Sequence, residues 1–225
     1  MSKLLKGRTL WEMGGVIAGV IVIAFGAVSL WMGVSGLGTV KDNVKQEQIT
    51  ASDDMTPALI RAAWAESGAA AVPVTFPTCS LTEDQLITNG AEARCFAQYL
   101  RIHALESSNG LTYAQMGRFL AADDPTNPAG TSNAEAALLD DSGKPVSNAA
   151  RNTWVTATAL SSALNLAYTA ERIALFGIVV GIAFLLAGIG FLVVAEVALR
   201  KRVAAAAPAA ATLAGGGAGR AAPAK

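Results

Sequence analysis

Two long uncharged apolar stretches, one near each end of the chain, constrain this sequence more than any other feature. Residues 13–37 and 173–195 contain no Asp, Glu, Lys or Arg. A helix needs roughly 20 apolar residues to cross a hydrocarbon core about 30 Å thick, and each stretch is longer than that. The sequence therefore predicts two transmembrane helices, over residues 13–37 and 173–197.

Basic residues flank both apolar spans on the sides that face the chain ends. Cytoplasmic flanks of membrane helices are enriched in Lys and Arg. We therefore expect a membrane protein with a cytoplasmic N-terminus (1–12), an extracytoplasmic middle (38–172) and a cytoplasmic tail (198–225). The residues that set this orientation are Lys3, Lys6, Arg8, Arg200, Lys201 and Arg202.

A cleaved signal peptide is the alternative interpretation of the first span. It also begins with basic residues and an apolar run, and the residues from Gly33 to Ser35 form a small-residue cleavage context. Signal-peptide apolar regions usually cover about 7–15 residues. This span is longer and ends near Trp31, an aromatic residue typical of the membrane interface, which favours a retained helix.

Both cysteines lie in the middle segment, in the compartment where disulfides persist. A bond between Cys79 and Cys95 would close a loop for which chain entropy predicts about 3 kcal/mol of stabilisation. We predict this disulfide. The alternatives are two buried free thiols, or a metal site, which the spacing and a single histidine disfavour.

Helix signals dominate the middle segment and predict an all-α fold. Thr56 and Pro57 open a helix over 57–67, and a second, central helix covers 91–107. Thr112 and Gln115 form a capping-box pattern that predicts another helix through about residue 120. Residues 39–54 predict an irregular connector, and 123–147 a long surface loop with one weak helical turn near 134–139.

The end of the chain divides into a long helix and a tail. No Gly or Pro lies between Pro145 and Gly177, which predicts that the second membrane helix is extended outward as a rod against which the other helices pack. The two spans then form a transmembrane hairpin. Residues 198–225 form an Ala/Pro/Gly tract with little bulky apolar surface, which predicts a disordered tail.

Small residues recur at four-residue spacing in both spans, as is typical of helices that approach closely in lipid. Gly15 and Gly19 form one pair, and Gly177 and Gly181 the other. In an antiparallel hairpin the second pair meets Ser29 and Gly33, and the first pair lies at the level of Ala187, Gly188 and Gly190. We expect intramolecular packing, with contact to a second copy or to a larger membrane protein as alternatives.

Few residues could carry chemistry. His103 is the only histidine, and Glu106 shares its helix face, so an acid–base pair or metal site can be imagined; a packing histidine bonded to an acid is the simpler reading. Three Asp-Asp pairs in loops do not follow a calcium-loop pattern. We predict no catalytic residue, metal or cofactor. The middle segment has more acidic than basic residues, which disfavours nucleic-acid binding, and the uncharged spans disfavour an ion pathway.

Three pieces of the chain resemble a family of small actinobacterial two-span membrane proteins with no established activity. They are ITASDD at 49–54, FAQYLRIHALESSNGLTYAQM at 96–116, and the alanine-rich helix 150–170. Segments 55–92 and 127–148 look like additions to the family pattern. The matching residues of the middle piece are Ala97, Gln98, Ile102, His103, Leu105, Glu106, Gly110, Thr112 and Tyr113.

Members of that family often carry the label "aromatic ring-opening dioxygenase". Such non-haem iron chemistry uses two histidines and a carboxylate on one iron. One histidine cannot supply that set, so the resemblance implies location and architecture rather than a reaction.

These observations lead to three function hypotheses. The first is a non-enzymatic accessory or structural membrane protein that contacts an envelope or membrane complex through its outer domain and its glycine-faced helices. The second is a ligand-sensing or ligand-binding outer domain, and the third a metalloenzyme centred on His103. A pocket for the second would be lined by aromatic residues: Trp64, Phe76, Phe96, Tyr99, Tyr113 and Trp154.

Overall fold

The computed structural model describes residues 2–215, with side-chain environments for residues 13–198, 200 and 201. Its α-helices are α1 (Ser2–Gln46), α2 (Pro57–Glu66), α3 (Gly90–Ser107) and α4 (Ala149–Gly215), with single 3-10 turns at Tyr113–Gln115 and Ala134–Ala136. Within the described residues the only β pairings are isolated bridges. The predicted all-α class is confirmed for this part of the chain.

The chain divides into two compact units, which we describe separately. Unit 1 comprises the chain up to Val34 and from Leu175 onward, and unit 2 comprises Ser35–Ala174. In α1 and α4, the stretches Met13–Gln46 and Ala149–Ala198 are long and apolar enough to cross a membrane. The most apolar windows of these helices have mean hydropathies of 2.3 and 2.9, in agreement with the two predicted spans.

Unit 2 has a core of large apolar side chains built around α2 and α3. Three side chains are fully buried: Ile60 of α2, Ile87 of the loop before α3, and Tyr99 of α3. Helix α3 begins because the side chain of Asn89 accepts a hydrogen bond from Glu92 N at 3.0 Å, a standard N-cap. The predicted helices 57–67 and 91–107 are thus present with bounds shifted by one residue.

Helix α1 is longer than predicted. The segment 39–54 was expected to be irregular, but α1 continues to Gln46. Val40 and Val44 lie one helical turn apart, and both pack onto the core of unit 2, so tertiary burial overrides the polar composition. Two residues after the end of the helix, Gln48 has a left-handed φ of 50°.

The predicted helix from Thr112 is wrong beyond its first turn. The capping box between Thr112 and Gln115 forms, but only a 3-10 turn follows it. Gly117 N instead donates to Ala129 O at 2.6 Å, and a Cβ on Gly117 would clash with the Thr131 carbonyl carbon. This backbone contact requires glycine and draws the chain away from a helix.

The long loop 123–147 is folded back on the preceding strand-like residues. Phe119 bridges Thr131 and Ser147, and Leu139 bridges Pro145. The weak helical turn predicted near 134–139 is the 3-10 turn at Ala134–Ala136.

Helix α4 is uninterrupted from Ala149 to Gly215. The sequence predicts a disordered tail from residue 198, whereas the helix continues through Gly215. Alanine has the highest intrinsic helix propensity, which explains the continuation through an alanine-rich stretch. The rest of the predicted tail, 216–225, lies outside the described residues.

Candidate functional site

Residues 72–78 lie outside the helices and contain Pro73 and Pro77, a pattern typical of extended chain, and we call them the extended segment. The segment is held to the rest of unit 2 at both ends. At its start, Val72 N donates to Ala69 O at 2.8 Å, and a Cβ on Gly110 would lie 2.5 Å from Val72 Cγ2. At its end, Cys79 is disulfide-bonded to Cys95 of α3, with the two Cα atoms 6.0 Å apart. The predicted disulfide therefore ties this segment to the central helix.

Tyr99 adds a second tie at the end of this segment. Its phenol is buried and donates to Cys79 O at 2.5 Å. Burial raises the pKa of Tyr99, because ionisation of a desolvated phenol is unfavourable. The hydroxyl is therefore protonated and able to donate at neutral pH.

A cleft of about 600 Å³ lies between the extended segment and α3. Val74 and Phe76 line it from the segment, and Ile102 and Leu105 from the helix. Arg101 lies at the same cleft and is the one charged residue among those that line it. The cleft thus combines an apolar lining with a single cation.

Most of the aromatic residues expected around a pocket belong to the core instead. Trp64, Phe96, Tyr99 and Trp154 are buried. Trp64 packs edge-on against Phe76, with ring centroids 6.3 Å apart. Of the six aromatics, only Phe76 lines the 600 Å³ cleft. The observed cleft is therefore not the aromatic-lined pocket between α2 and α3 that the second hypothesis describes.

His103 lies between two carboxylates. Its Nε2 is 3.3 Å from Asp54 Oδ2 and its Nδ1 is 3.0 Å from Glu106 Oε2. Because Asp54 precedes α2, its contact with His103 links α3 to the loop before α2. Across the described residues, no group of three or more His, Cys, Asp or Glu side chains could hold a metal ion.

Two further residues of the family pattern, Gly110 and Tyr113, have a conformation or a contact that accounts for the residue type. Gly110 has a φ of 79°, in the left-handed region that follows the end of α3. Tyr113 is 45% exposed, and the Arg151 guanidinium lies 4.0 Å above the centre of its ring. That distance is within the range of a cation–π contact.

In unit 1, α1 and α4 pack antiparallel through glycine. A Cβ on Gly181 would lie 2.7 Å from Leu30 N and 2.9 Å from Gly26 O, and one on Gly26 would lie 2.8 Å from Leu185 N. A Cβ on Gly19 would likewise lie 3.1 Å from Gly188 O. These separations are too short for a side chain, so the two backbones are in direct contact.

The other small residues of the predicted packing have more room. A Cβ on Gly177 would lie 3.5 Å from Ser29 O and 3.6 Å from Gly33 Cα, and a Cβ on Gly15 would lie 3.7 Å from Ala195 Cβ. These are ordinary van der Waals distances. A Cβ on Gly190 would meet no atom of another described element within 4 Å. Gly26 was not anticipated, because it stands outside both four-residue glycine pairs.

The residues predicted to set topology are only partly described. Arg200 pairs with Glu196, one turn earlier on α4, with Arg200 Nε 3.0 Å from Glu196 Oε1, and Lys201 is exposed. The side chains of Lys3, Lys6, Arg8 and Arg202 lie outside the described residues.

Two features of unit 2 could not be anticipated from sequence patterns. Asp54 reaches His103 only because the loop before α2 folds onto α3. The extended segment gives one sequence signal, its two prolines at 73 and 77, but no pattern indicates that a cleft opens beside it.

Comparisons with known proteins found no match for this chain among family models, curated proteins or solved structures. The resemblance to small actinobacterial membrane proteins therefore stays a prediction.

Proposed function

We propose that this chain is an integral protein of a bacterial plasma membrane and a non-enzymatic accessory or structural subunit. In this proposal, helices 13–37 and 173–197 cross the bilayer as a hairpin, both termini are cytoplasmic, and the disulfide-bonded domain 38–172 faces outward. Its partners are the lipid bilayer and a larger membrane or envelope complex, or a second copy of the chain.

The observation that carries this proposal is the bare apolar surface of the two long helices. In their most apolar windows, 11% and 17% of the residues are buried. The core helix of a soluble protein would be mostly buried, whereas exposed side chains such as Phe25, Trp31 and Phe176 suit contact with lipid.

Two further observations support the proposal. The backbone contact between Gly26 and Gly181 would be lost if the first span were removed as a signal peptide, so the packing favours a retained helix. The disulfide between Cys79 and Cys95 suits an oxidising compartment, in agreement with an outward-facing domain.

Orientation can be tested with single cysteines in intact cells. We expect a membrane-impermeant maleimide to label Ser142→Cys directly, and to label Lys201→Cys only after permeabilisation. Both positions are exposed in the structure. The reverse pattern would contradict the proposed orientation, and labelling of both in intact cells would contradict the hairpin.

The accessory role can be tested by purification from native membranes in mild detergent, followed by mass spectrometry. We expect a stoichiometric set of membrane proteins to accompany the chain. Recovery of the chain alone would overturn the accessory role.

A second candidate function is ligand binding by the outward domain, and the cleft beside α3 favours it. Its volume of about 600 Å³ lies within the range of ligand sites, about 300–1,000 Å³. Thermal unfolding of the whole protein in detergent, with and without a small-molecule library, tests this function. A reproducible rise in the midpoint supports it, and no rise with any compound counts against it.

A further inference from the structure

We infer that the cleft beside α3 binds an extended peptide that carries a carboxylate, held by strand addition to residues 74–78 and by Arg101. This inference rests on the partner-binding role proposed above and names the chemistry of the partner. Its occupant is a segment of another polypeptide.

The first step is the conformation of the segment. Val74 and Phe76 are half-buried, whereas Pro73 and Thr75 are exposed. This alternation has the two-residue period of a β-strand with one face on the core. Two prolines, Pro73 and Pro77, bracket the central residues and hold the backbone extended.

The second step is the unpaired backbone of this segment. The next backbone hydrogen bond after Val72 N to Ala69 O is made by Leu81 N, which donates to Met55 O at 3.0 Å. Between them, no described side chain or backbone group bonds the amides of Val74, Thr75 or Phe76. These amides are therefore available to pair with an added chain, as the amides at the edge of a strand are.

The third step is the charge. Arg101 is exposed and makes no salt bridge among the described residues. Its guanidinium lies 5.4 Å from the centre of the Trp154 ring, which orients the group and leaves its N–H donors available. A guanidinium matches a carboxylate with two parallel hydrogen bonds, so charge complementarity selects an acidic peptide.

The fourth step is the apolar lining. Ile102 and Leu105 lie one turn apart on the cleft side of α3, opposite Val74 and Phe76. An extended peptide points alternate side chains in the same direction. We therefore expect an apolar residue near the carboxylate-bearing residue of the peptide.

The test uses the full chain in detergent and a bead-bound library of random heptapeptides. We expect enrichment of peptides that combine Asp or Glu at one position with β-branched or other apolar residues at alternating positions. Arg101→Gln should lose this enrichment, whereas Arg101→Lys should keep part of it. Equal enrichment by the wild type and Arg101→Gln, or no enrichment at all, would overturn the inference.

A second set of variants tests whether the peptide binds by strand addition. Successive amides of an extended chain point to opposite edges, so Val74→Pro and Thr75→Pro each remove a donor from a different edge. We expect one of them to weaken binding of an enriched peptide by roughly tenfold, while Val74→Ala and Thr75→Ala do not. Unchanged affinity in both proline variants would overturn strand addition. Near-UV circular dichroism checks that each variant is folded.

The same variants separate this inference from the proposed function. If membrane proteins copurify equally with the wild type and with Arg101→Gln, the peptide site is wrong and the accessory role stands. If acidic peptides bind the wild type but nothing copurifies from membranes, the peptide site stands and the accessory role is wrong.

Discussion

In unit 1 the helices meet through glycine backbone, whereas in unit 2 they meet through large side chains. Gly26 and Gly181 bring two backbones into direct contact, and large residues such as Phe176 point outward. In unit 2 the pattern is reversed, with Ile60 and Tyr99 fully buried. The same chain thus places its bulky apolar groups on the outside in one unit and on the inside in the other.

In the proposed membrane topology, this difference reflects the solvent around each unit, which is lipid for unit 1 and water for unit 2. In water, burial of apolar surface drives packing, at roughly 25 cal/mol per Å². In lipid, apolar side chains gain nothing by leaving the solvent, so close backbone approach and van der Waals contact hold helices together. Unit 2 also contains a disulfide and side-chain helix caps at Thr56 and Asn89. The following predictions test this comparison, from the largest expected effect to the smallest.

The largest effect is expected from Gly181→Leu in unit 1. A Cβ at this position would lie 2.7 Å from Leu30 N, and overpacking against backbone has little room to relax. We expect helix association to weaken by about 3 kcal/mol, the upper end of the usual cost of overpacking. Spin labels at Val28 and Val179, which are exposed, should show a longer and broader distance distribution.

Gly190→Leu is the matched control, because a Cβ on Gly190 would enter open space. It adds the same side chain to the same helix and should leave the distance distribution unchanged. If Gly181→Leu behaves like Gly190→Leu, glycine contact does not hold unit 1 together, and the comparison between the units fails on that side.

The second effect is removal of the disulfide in unit 2. The bonded cysteines are separated by 16 residues, and replacement of both by serine should cost about 3 kcal/mol of unfolding free energy. The near-UV signal of the full chain in detergent should be lost at a lower denaturant concentration. Reduced wild type should behave like the double variant; an unchanged midpoint would mean that the core alone holds the segment.

The third effect is expected from Asn148→Ala. Asn148 is fully buried and its Nδ2 donates to Gly117 O at 3.1 Å and to Pro128 O at 2.8 Å. The substitution strands two carbonyl oxygens and should cost about 2 kcal/mol. Denaturant unfolding of the full chain measures this loss.

The control is Asn152→Ala, one turn along α4, whose side chain is exposed. It should change the unfolding free energy by less than about 0.5 kcal/mol. Helix propensity favours alanine over asparagine, so it cannot produce a loss in this variant. A loss as large as that of Asn148→Ala would therefore mean that the buried amide contacts do not account for the cost at position 148.

The features that could be read from the sequence are those encoded by neighbouring residues. Long apolar spans, the N-cap pattern at Thr56 and the unbroken stretch after Pro145 depend on composition and local spacing alone. They predicted the two apolar helices, α2 and the start of α4. The disulfide also followed, because the chain has only two cysteines.

The features that could not be read depend on contacts between distant residues. The capping box at Thr112 predicts a helix, but Gly117 is drawn to Ala129 instead. The connector after the first span looks polar, yet Val44 finds a buried position in the core and keeps it helical. Likewise, the cleft exists only because the disulfide and Gly110 hold residues 72–78 beside α3, so Arg101 gave no signal as a site residue.

The smallest effect is a pH dependence in unit 2. The pKa of Asp140 is lowered because Lys144 N and the Ser142 hydroxyl donate to its carboxylate, with a further bond from Ser142 N. A carboxyl group with a lowered folded pKa stabilises the protein above its unfolded pKa, and that contribution is lost as the pH falls through the folded value. Asp140→Asn should therefore unfold at a slightly lower temperature than the wild type at pH 7, with the difference closing below the ordinary pKa of 3.8.

Asp141→Asn is the control, because no hydrogen bond to the Asp141 side chain is present among the described residues. A melting-temperature difference that persists undiminished at acidic pH would assign the effect to the shape of the side chain rather than to its charge.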